Sequence, residues 1–437
     1  MTEKRQELVA QIFKKLLQKC DTKAYRVAKE TGIDKTYLSK LCAGAIARPG
    51  ADKLAKIAAV LNIEIEQLQQ VFREPRLAIA ELELEDVEFA ALSTKKESFL
   101  SKQDWGTAPD ALVCYHRSTE IEQLKQAFKT QHCRLATIYG LDGIGKTTVA
   151  IEVAQQMKTE FDYILWRTLG NDCPAEIWLQ DALRLFTKEI LTLGIESQTA
   201  RLMQYLRQHR CLVVLDGVEA MLATGSSLQP YRFGYEAYGE VFRQAAQIKH
   251  QSCLLLVSNE KPRDVAVWES ASAAIYSLQI RGSKEVCYRI LQDKQITYSS
   301  AWDELIAAYR GHPLALKIVA TAIEELFAGN VADFLRQNTL FLGDLQFLLH
   351  QQYQRLSEPE QQILKAFSEV ERPVSLGKLT DQYQNQMRCS QIIECLHSLK
   401  RRSLLDRVVS KDLNSDRPQT YFYDIHPMVR KYMQSQN

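Results

Sequence analysis

The sequence lacks the marks of a metal centre, a secreted domain or a membrane protein. Its ten cysteines are scattered, with no C-x-x-C pair and no Cys/His cluster at zinc spacing. It shows no signal peptide and no apolar run near the roughly 20 residues of a membrane span. Together these absences predict a protein of the reducing cytoplasm whose thiols are small buried hydrophobes. Cys133, Cys211 and Cys253 each open an apolar strand-like run, which suits that role. Charge of one sign is also lacking. Across 437 residues, 55 Lys and Arg face 53 Asp and Glu, a net +2, so the whole molecule announces no polyanion partner. The length predicts three or four domains.

Locally, charge is uneven. Gln11 to Lys56 holds eleven basic and four acidic residues, and Leu77 to Glu88 holds five acidic and no basic ones. A basic N-terminal module followed by an acidic connector is the expectation. Within the module, a helix from Ala24 is stopped by Gly32-Ile33, and a second starts at Asp34 and runs toward Gly44. Val27, Ala28, Ile33, Leu38 and Leu41 form the expected inner face. Lys35, Thr36, Tyr37 and Lys40 point outward, where they can reach bases or phosphates. With Pro49 and Leu54 to Ile63, this spacing resembles the helix-turn-helix of Cro and phage repressors. A helical bundle used for protein contact would share the same core. The basic surplus favours double-stranded DNA.

Gly140-Leu141-Asp142-Gly143-Ile144-Gly145-Lys146-Thr147 fits the phosphate-binding pattern G-x-x-x-x-G-K-[ST]. An apolar run, Cys133 to Tyr139, precedes it. Val149, Ala150, Val153, Ala154 and Met157 follow at helical spacing. Strand, glycine loop and helix start together make an anion site from backbone N–H groups and the helix dipole. Gly140, Gly143, Gly145, Lys146, Thr147 and Thr148 are the expected nucleotide contacts. Lys146 serves the β- and γ-phosphates and Thr147 serves Mg²⁺. The ligand class is ADP or ATP.

Apolar runs at Tyr163–Trp166, Cys211–Asp216, Cys253–Ser258 and Ile275–Leu278 alternate with helical patterns, which predicts a mainly parallel sheet. Asp216 ends its run, so it falls at the carboxyl edge of the sheet and can hold Mg²⁺ with Thr147. A plain Asp-Gly turn at Asp216-Gly217 fits the same pattern. Glu219 is the nearest carboxylate able to orient an attacking water, and geometry decides whether it does. Asp216 and Glu219 are therefore the candidate catalytic pair.

Several ordered motifs resemble an NB-ARC domain of the STAND class of signal-transducing ATPases, in its cyanobacterial form. They are Asp104–Asp110, Tyr115–Glu120, Phe161–Arg167, Ser258–Pro262 and Gly311–Leu316. The resemblance implies that Arg117 lies in the segment covering adenine and ribose. It implies that Pro313 packs on the base. It also implies that His426, in Ile425-His426-Pro427-Met428, reaches the β-phosphate of ADP and locks a resting state. The sequence departs from the family at His116 (usually glycine), Gly217 (often acidic), Asn259 (often arginine) and Pro427 (usually aspartate). These departures predict hydrolysis that is slow at most.

The expected architecture is multidomain. A helix-turn-helix head occupies residues 1–76 and is all-α. A linker occupies 77–103, and an α/β P-loop NTPase domain with a parallel sheet occupies 104–281. A helical subdomain follows at 282–343 and a winged-helix domain at 344–437. Ser357-Glu358-Pro359-Glu360 opens a helix of the last of these with a capping box. Lys400-Arg401-Arg402 is expected to be a solvated rim. No propeller, tetratricopeptide or leucine-rich repeats follow, so the sensor is expected to be a partner protein, the nucleotide or a missing portion. The resemblance implies an ADP/ATP switch that self-associates in the ATP state, with a DNA-binding head and a role in transcription. Two rivals remain: a defence module whose helical head recruits a protein effector, and a fast housekeeping ATPase.

Overall fold

The computed structural model describes residues 12–13, 17, 24–42, 46, 49–61, 63, 65–73, 103–110, 116–130, 132–170, 173–187, 194–225, 229–337, 340, 343–409 and 421–436. Gly44, the acidic connector, Tyr115 and the side chain of Lys35 fall outside these. The chain divides into two compact units, Met1–Leu100 and Ser101–Asn437. Among the described residues no helix is long and apolar enough to cross a membrane.

The first unit contains the helices Ala24–Thr31, Lys35–Cys42, Ala51–Leu61 and Ile65–Arg73. Its first helix ends where Gly32 takes φ +69°. The Asp34 carboxylate caps the next helix, accepting from the N–H groups of Thr36 at 2.8 Å and Tyr37 at 3.2 Å. Val27, Ala28, Ile33, Leu38 and Leu41 pack with Leu54, Ile57, Leu61 and Leu68 into one core.

The second unit opens with a six-stranded sheet: β1 Gln103–Asp104, β2 Leu135–Tyr139, β3 Tyr163–Thr168, β4 Cys211–Asp216, β5 Cys253–Ser258 and β6 Ile275–Gln279. The order is β1-β3-β4-β5-β2-β6, and every pairing is parallel. Because side chains alternate along each strand, Leu165, Val213, Leu215, Leu254 and Leu256 enter one core. Ile164, Trp166, Leu212, Val214, Leu255 and Val257 enter the core of the opposite face. Both faces are therefore covered, as a parallel sheet requires. β5 lies between β2 and β4, so the segments leaving those two strands open onto one crevice at the carboxyl edge.

Beyond the sheet come the helices Lys284–Asp293, Ala301–Ala308, Pro313–Phe327 and Val331–Leu335. Leu345–Gln354, Glu358–Ser368, Leu376–Tyr383, Cys389–Arg401 and Pro427–Ser435 follow, with the strands β7 Val374–Ser375, β8 Leu405–Val409 and β9 Tyr421–Ile425. These strands form an antiparallel sheet of order β7-β9-β8. The Ser357/Glu360 capping box is present. One apolar core runs continuously from Val286 to Met433, so the segments on either side of residue 343 share it.

Buried charge joins the C-terminal helices to the sheet. The Glu260 carboxylate just beyond β5 accepts from Arg355 at 2.6 Å and from Arg402 at 2.7 Å. Arg402 also lies 3.6 Å from Glu360. Lys261 N–H donates to the Arg401 carbonyl at 2.9 Å. Arg402 is thus a buried partner of the sheet, while the backbone of Arg401 takes part in the same contact. This corrects the solvated-rim expectation at Arg402, while Lys400 is exposed as expected. On the helical side, Arg310 pairs with Asp424, which also accepts from Arg430 at 2.6 Å.

Candidate nucleotide site

The loop between β2 and the helix Lys146–Gln156 builds the site. Gly143 and Gly145 take left-handed backbone, φ +76° and +102°. A Cβ on Gly143 would fall 2.5 Å from the Leu314 side chain, so only glycine lets this loop meet the helix Pro313–Phe327. Gly140 sits at the strand exit, packed against the Ile280 carbonyl.

Lys146 is buried, and its ammonium donates to the Leu141 carbonyl of its own loop at 3.0 Å. Burial lowers its pKa, opposed by the carboxylates of Glu219, Asp142 and Asp216. Thr147 Oγ1 lies 3.2 and 3.1 Å from the two carboxylate oxygens of Asp216, which brings the residues expected to share a metal into contact.

Burial pushes the Asp216 carboxyl from 3.8 up to about 6. The Thr147 hydroxyl opposes this, Glu219 reinforces it, and Lys146 opposes it. A carboxyl raised on folding favours the protonated native state. Its stabilisation is present below about pH 4 and is lost as pH rises through about 6. Asp216→Asn is therefore expected to stabilise the nucleotide-free protein at pH 7 by roughly 3 kcal/mol, seen as a raised melting temperature, and to do so less at pH 5. Thermal unfolding of both proteins from pH 5 to 8 checks this; a constant gap across that range contradicts it.

Glu219 lies in the short 3₁₀ turn Val218–Met221 and accepts from the Asn259 N–H at 3.1 Å. Its carboxylate thereby ties the end of β5 to the segment after β4. Gly217 has a backbone reason to lack an acidic side chain: its φ is +86°, and a Cβ there would fall 2.9 Å from the Leu169 carbonyl. His116, at the position usually held by glycine, takes φ +45°. Pro427 occupies the first turn of the last helix, which His426 caps.

A cavity of about 310 Å³ opens between the loop and the helical segment. Arg117, Asp142, Gly143, Gly145, Lys146, Thr147 and Thr148 line one side, and Val286, Ile290, Pro313, Leu314 and Lys317 the other. Arg117 is buried, donating to Glu120 at 2.7 Å and to the Ile144 carbonyl at 3.1 Å. Its guanidinium thus braces the phosphate loop. His426 is buried but is not among the lining residues; its ring stands 6.1 Å from that of His312. Val286, Ile290 and Lys317 also line the cavity, although no motif marks them. They lie on helices that only the tertiary fold brings to the loop.

In the first unit, Thr36 and Lys40 are exposed and Tyr37 is half-buried on the helix Lys35–Cys42. Lys53 Nζ sits 3.9 Å above the Tyr37 ring, adding a cation to this face that helical spacing alone did not suggest.

Comparison with known proteins agrees with this arrangement. The NB-ARC domain family model matches residues 117–223, and a helix-turn-helix family model matches 13–68. An uncharacterized WD repeat-containing protein of Nostoc sp. is 35% identical over 336 residues, covering 72% of this chain and 27% of that protein. A putative disease resistance protein of Arabidopsis thaliana is 33% identical over 92 residues, 20% of this chain and 11% of its own. The chain therefore spans about a quarter or less of the length of these relatives. Among solved structures, a STAND protein with a tetratricopeptide repeat sensor from Pyrococcus horikoshii is similar over 76% of this chain and 44% of its own, at 15% identity and TM-score 0.38. A Walker-type ATPase of Pyrococcus abyssi is similar over 75% of this chain and 99% of its own, at 13% identity and TM-score 0.45. With its phosphate loop and parallel sheet, the chain carries an NB-ARC domain at residues 117–223 and an N-terminal helix-turn-helix domain at residues 13–68.

Proposed function

We propose that the protein is an ADP/ATP switch with a DNA-binding head. The observation that carries this reading is the cavity itself. A phosphate loop forms one wall and an apolar shelf of Val286, Ile290 and Pro313 the other, so a nucleotide between them is shared by the sheet and the helical segment. Its size suits a nucleotide. Lys146 exchanges its bond to Leu141 for the phosphates, and Pro313 receives the base. A ligand with different affinity for the closed and open forms shifts their balance. His426, whose ring stands 6.1 Å from that of His312, responds to the bound phosphates in the resting state. Release of the C-terminal helices then permits self-association, and several heads bind duplex DNA with avidity.

Mg²⁺ fits the site. Thr147 and Asp216 offer hard oxygen donors in contact with each other. Among the described residues no group of three His, Cys, Asp or Glu could hold a metal ion, and beside Thr147 and Asp216 the rest of a Mg²⁺ shell would fall to phosphates and water. When bound, the ion neutralises charge on the β- and γ-phosphates. Glu219 accepts from the Asn259 N–H through one of its two carboxylate oxygens. It is Gly217 and Asn259, in place of an acidic residue and an arginine, that support slow hydrolysis at most and speak against a fast housekeeping ATPase.

The exposed Thr36 and Lys40, with Tyr37 and Lys53 beside them, favour DNA over a protein effector as the partner of the head. Duplex titration across a salt series tests this. The wild type is expected to show steep salt dependence, and Lys40→Ala to lower the slope by about 1. Absence of duplex binding at low salt in both ADP and an ATP analogue contradicts the DNA reading and supports the effector module.

A further inference from the structure

His312 joins three parts of the second unit, and none of the roles assigned to the site uses its side chain. It caps the helix Pro313–Phe327, its Nδ1 accepting from the Ala315 N–H at 3.2 Å. The ring proton is therefore on Nε2, and this N–H donates to the Asp142 carbonyl of the phosphate loop at 2.9 Å. The neighbouring Leu314 N–H reaches the Gly143 carbonyl at 3.4 Å. Against the same ring stands His426, edge-on, with an interplanar angle of 73°. His426 caps the last helix by accepting from the Met428 N–H at 3.3 Å.

Both rings are buried, 1% and 7% exposed. Burial lowers His312 to about 4, with Lys146 and Arg117 also opposing its charge. Burial, His312 and Arg310 hold His426 well below the ordinary histidine range. Near neutral pH both rings are uncharged and act through shape and single N–H donors.

We propose that His312 is a positioning residue that transmits the state of the phosphate loop to the C-terminal helix through His426. This rests on the cavity being a nucleotide site. Asp142 and Gly143 belong to the loop that must settle its N–H groups around phosphates. A shift of the Asp142 carbonyl carries the His312 ring with it or breaks the bond. Breaking it strands a buried N–H, and turning the ring loses the cap. A packed ring with two fixed partners has discrete arrangements instead of a continuum. His426, in contact with that ring and absent from the cavity lining, receives the change second-hand.

Release of a fluorescent ADP analogue, followed by stopped flow, tests the relay. His312→Asn keeps an N-cap, but its shorter side chain cannot also reach Asp142. It is expected to melt near the wild-type temperature yet release ADP about tenfold faster. His426→Ala alone is also expected to speed release, and adding it to His312→Asn to change nothing more. His312→Ala loses the cap too, so it separates the structural share of the residue. Wild-type release by His312→Asn, or additive effects of the two substitutions, overturns the relay. Failure of the wild type to bind ADP at all overturns the nucleotide reading and the relay with it.

Discussion

Lys146→Ala is expected to weaken ADP and ATP binding at least a hundredfold while leaving the nucleotide-free protein folded. The affinity loss follows from charge-assisted hydrogen bonds to phosphate oxygens, roughly 1.5–3 kcal/mol each. A hundredfold change is about 2.8 kcal/mol. The small stability effect follows from the burial of Lys146. The residue is 7% exposed, and its ammonium holds one carbonyl, Leu141, at 3.0 Å. Alanine removes a desolvated cation together with that single bond, and the two changes oppose each other. Asp216 keeps its Thr147 partner. Titration calorimetry and thermal unfolding on the same preparations check both halves. Unchanged ADP affinity contradicts the placement of the phosphates in this loop.

The second large effect is expected at Glu260, which is not among the residues lining the cavity. Glu260→Ala leaves Arg355 and Arg402 facing each other without the carboxylate they share, at a cost of roughly 3–5 kcal/mol. Glu360, 3.6 Å from Arg402, compensates only in part. Hydrogen exchange should locate the damage in the helices Leu345–Gln354 and Cys389–Arg401, with β2, β4 and β5 still protected. Replacing Glu260, Arg355 and Arg402 together by methionine should cost far less than the single change, because no charge is then stranded. A loss below about 1 kcal/mol for Glu260→Ala would mean that this ion pair does not hold the C-terminal helices.

The legible parts of this protein are those whose physics is local. The phosphate loop showed itself as a strand, three glycines and a helix start within a short stretch. Asp216 showed itself as the polar end of an apolar strand, and the Ser357/Glu360 capping box was readable from four residues. The first-unit core followed from helical spacing around Gly32. What stayed hidden is made by distant pairs. His312 meets Asp142 across 170 positions, and Arg355 meets Glu260 across 95. Neither has a periodicity to betray it. Gly217 illustrates a different gap. It looked like a lost acidic residue, whereas its positive φ and the nearby Leu169 carbonyl leave room for glycine alone. Arg402 looked like part of a solvated basic rim, and its burial against Glu260 comes from packing that sequence does not show.

The central claim is that one nucleotide holds the second unit closed and another releases it. Sedimentation of the wild-type protein in ADP and in a non-hydrolysable ATP analogue, both with Mg²⁺, tests it most directly. A compact monomer in ADP and a larger assembly in the ATP analogue is the predicted result. The same mass and the same sedimentation coefficient in both nucleotides, each shown to be bound, would contradict the switch.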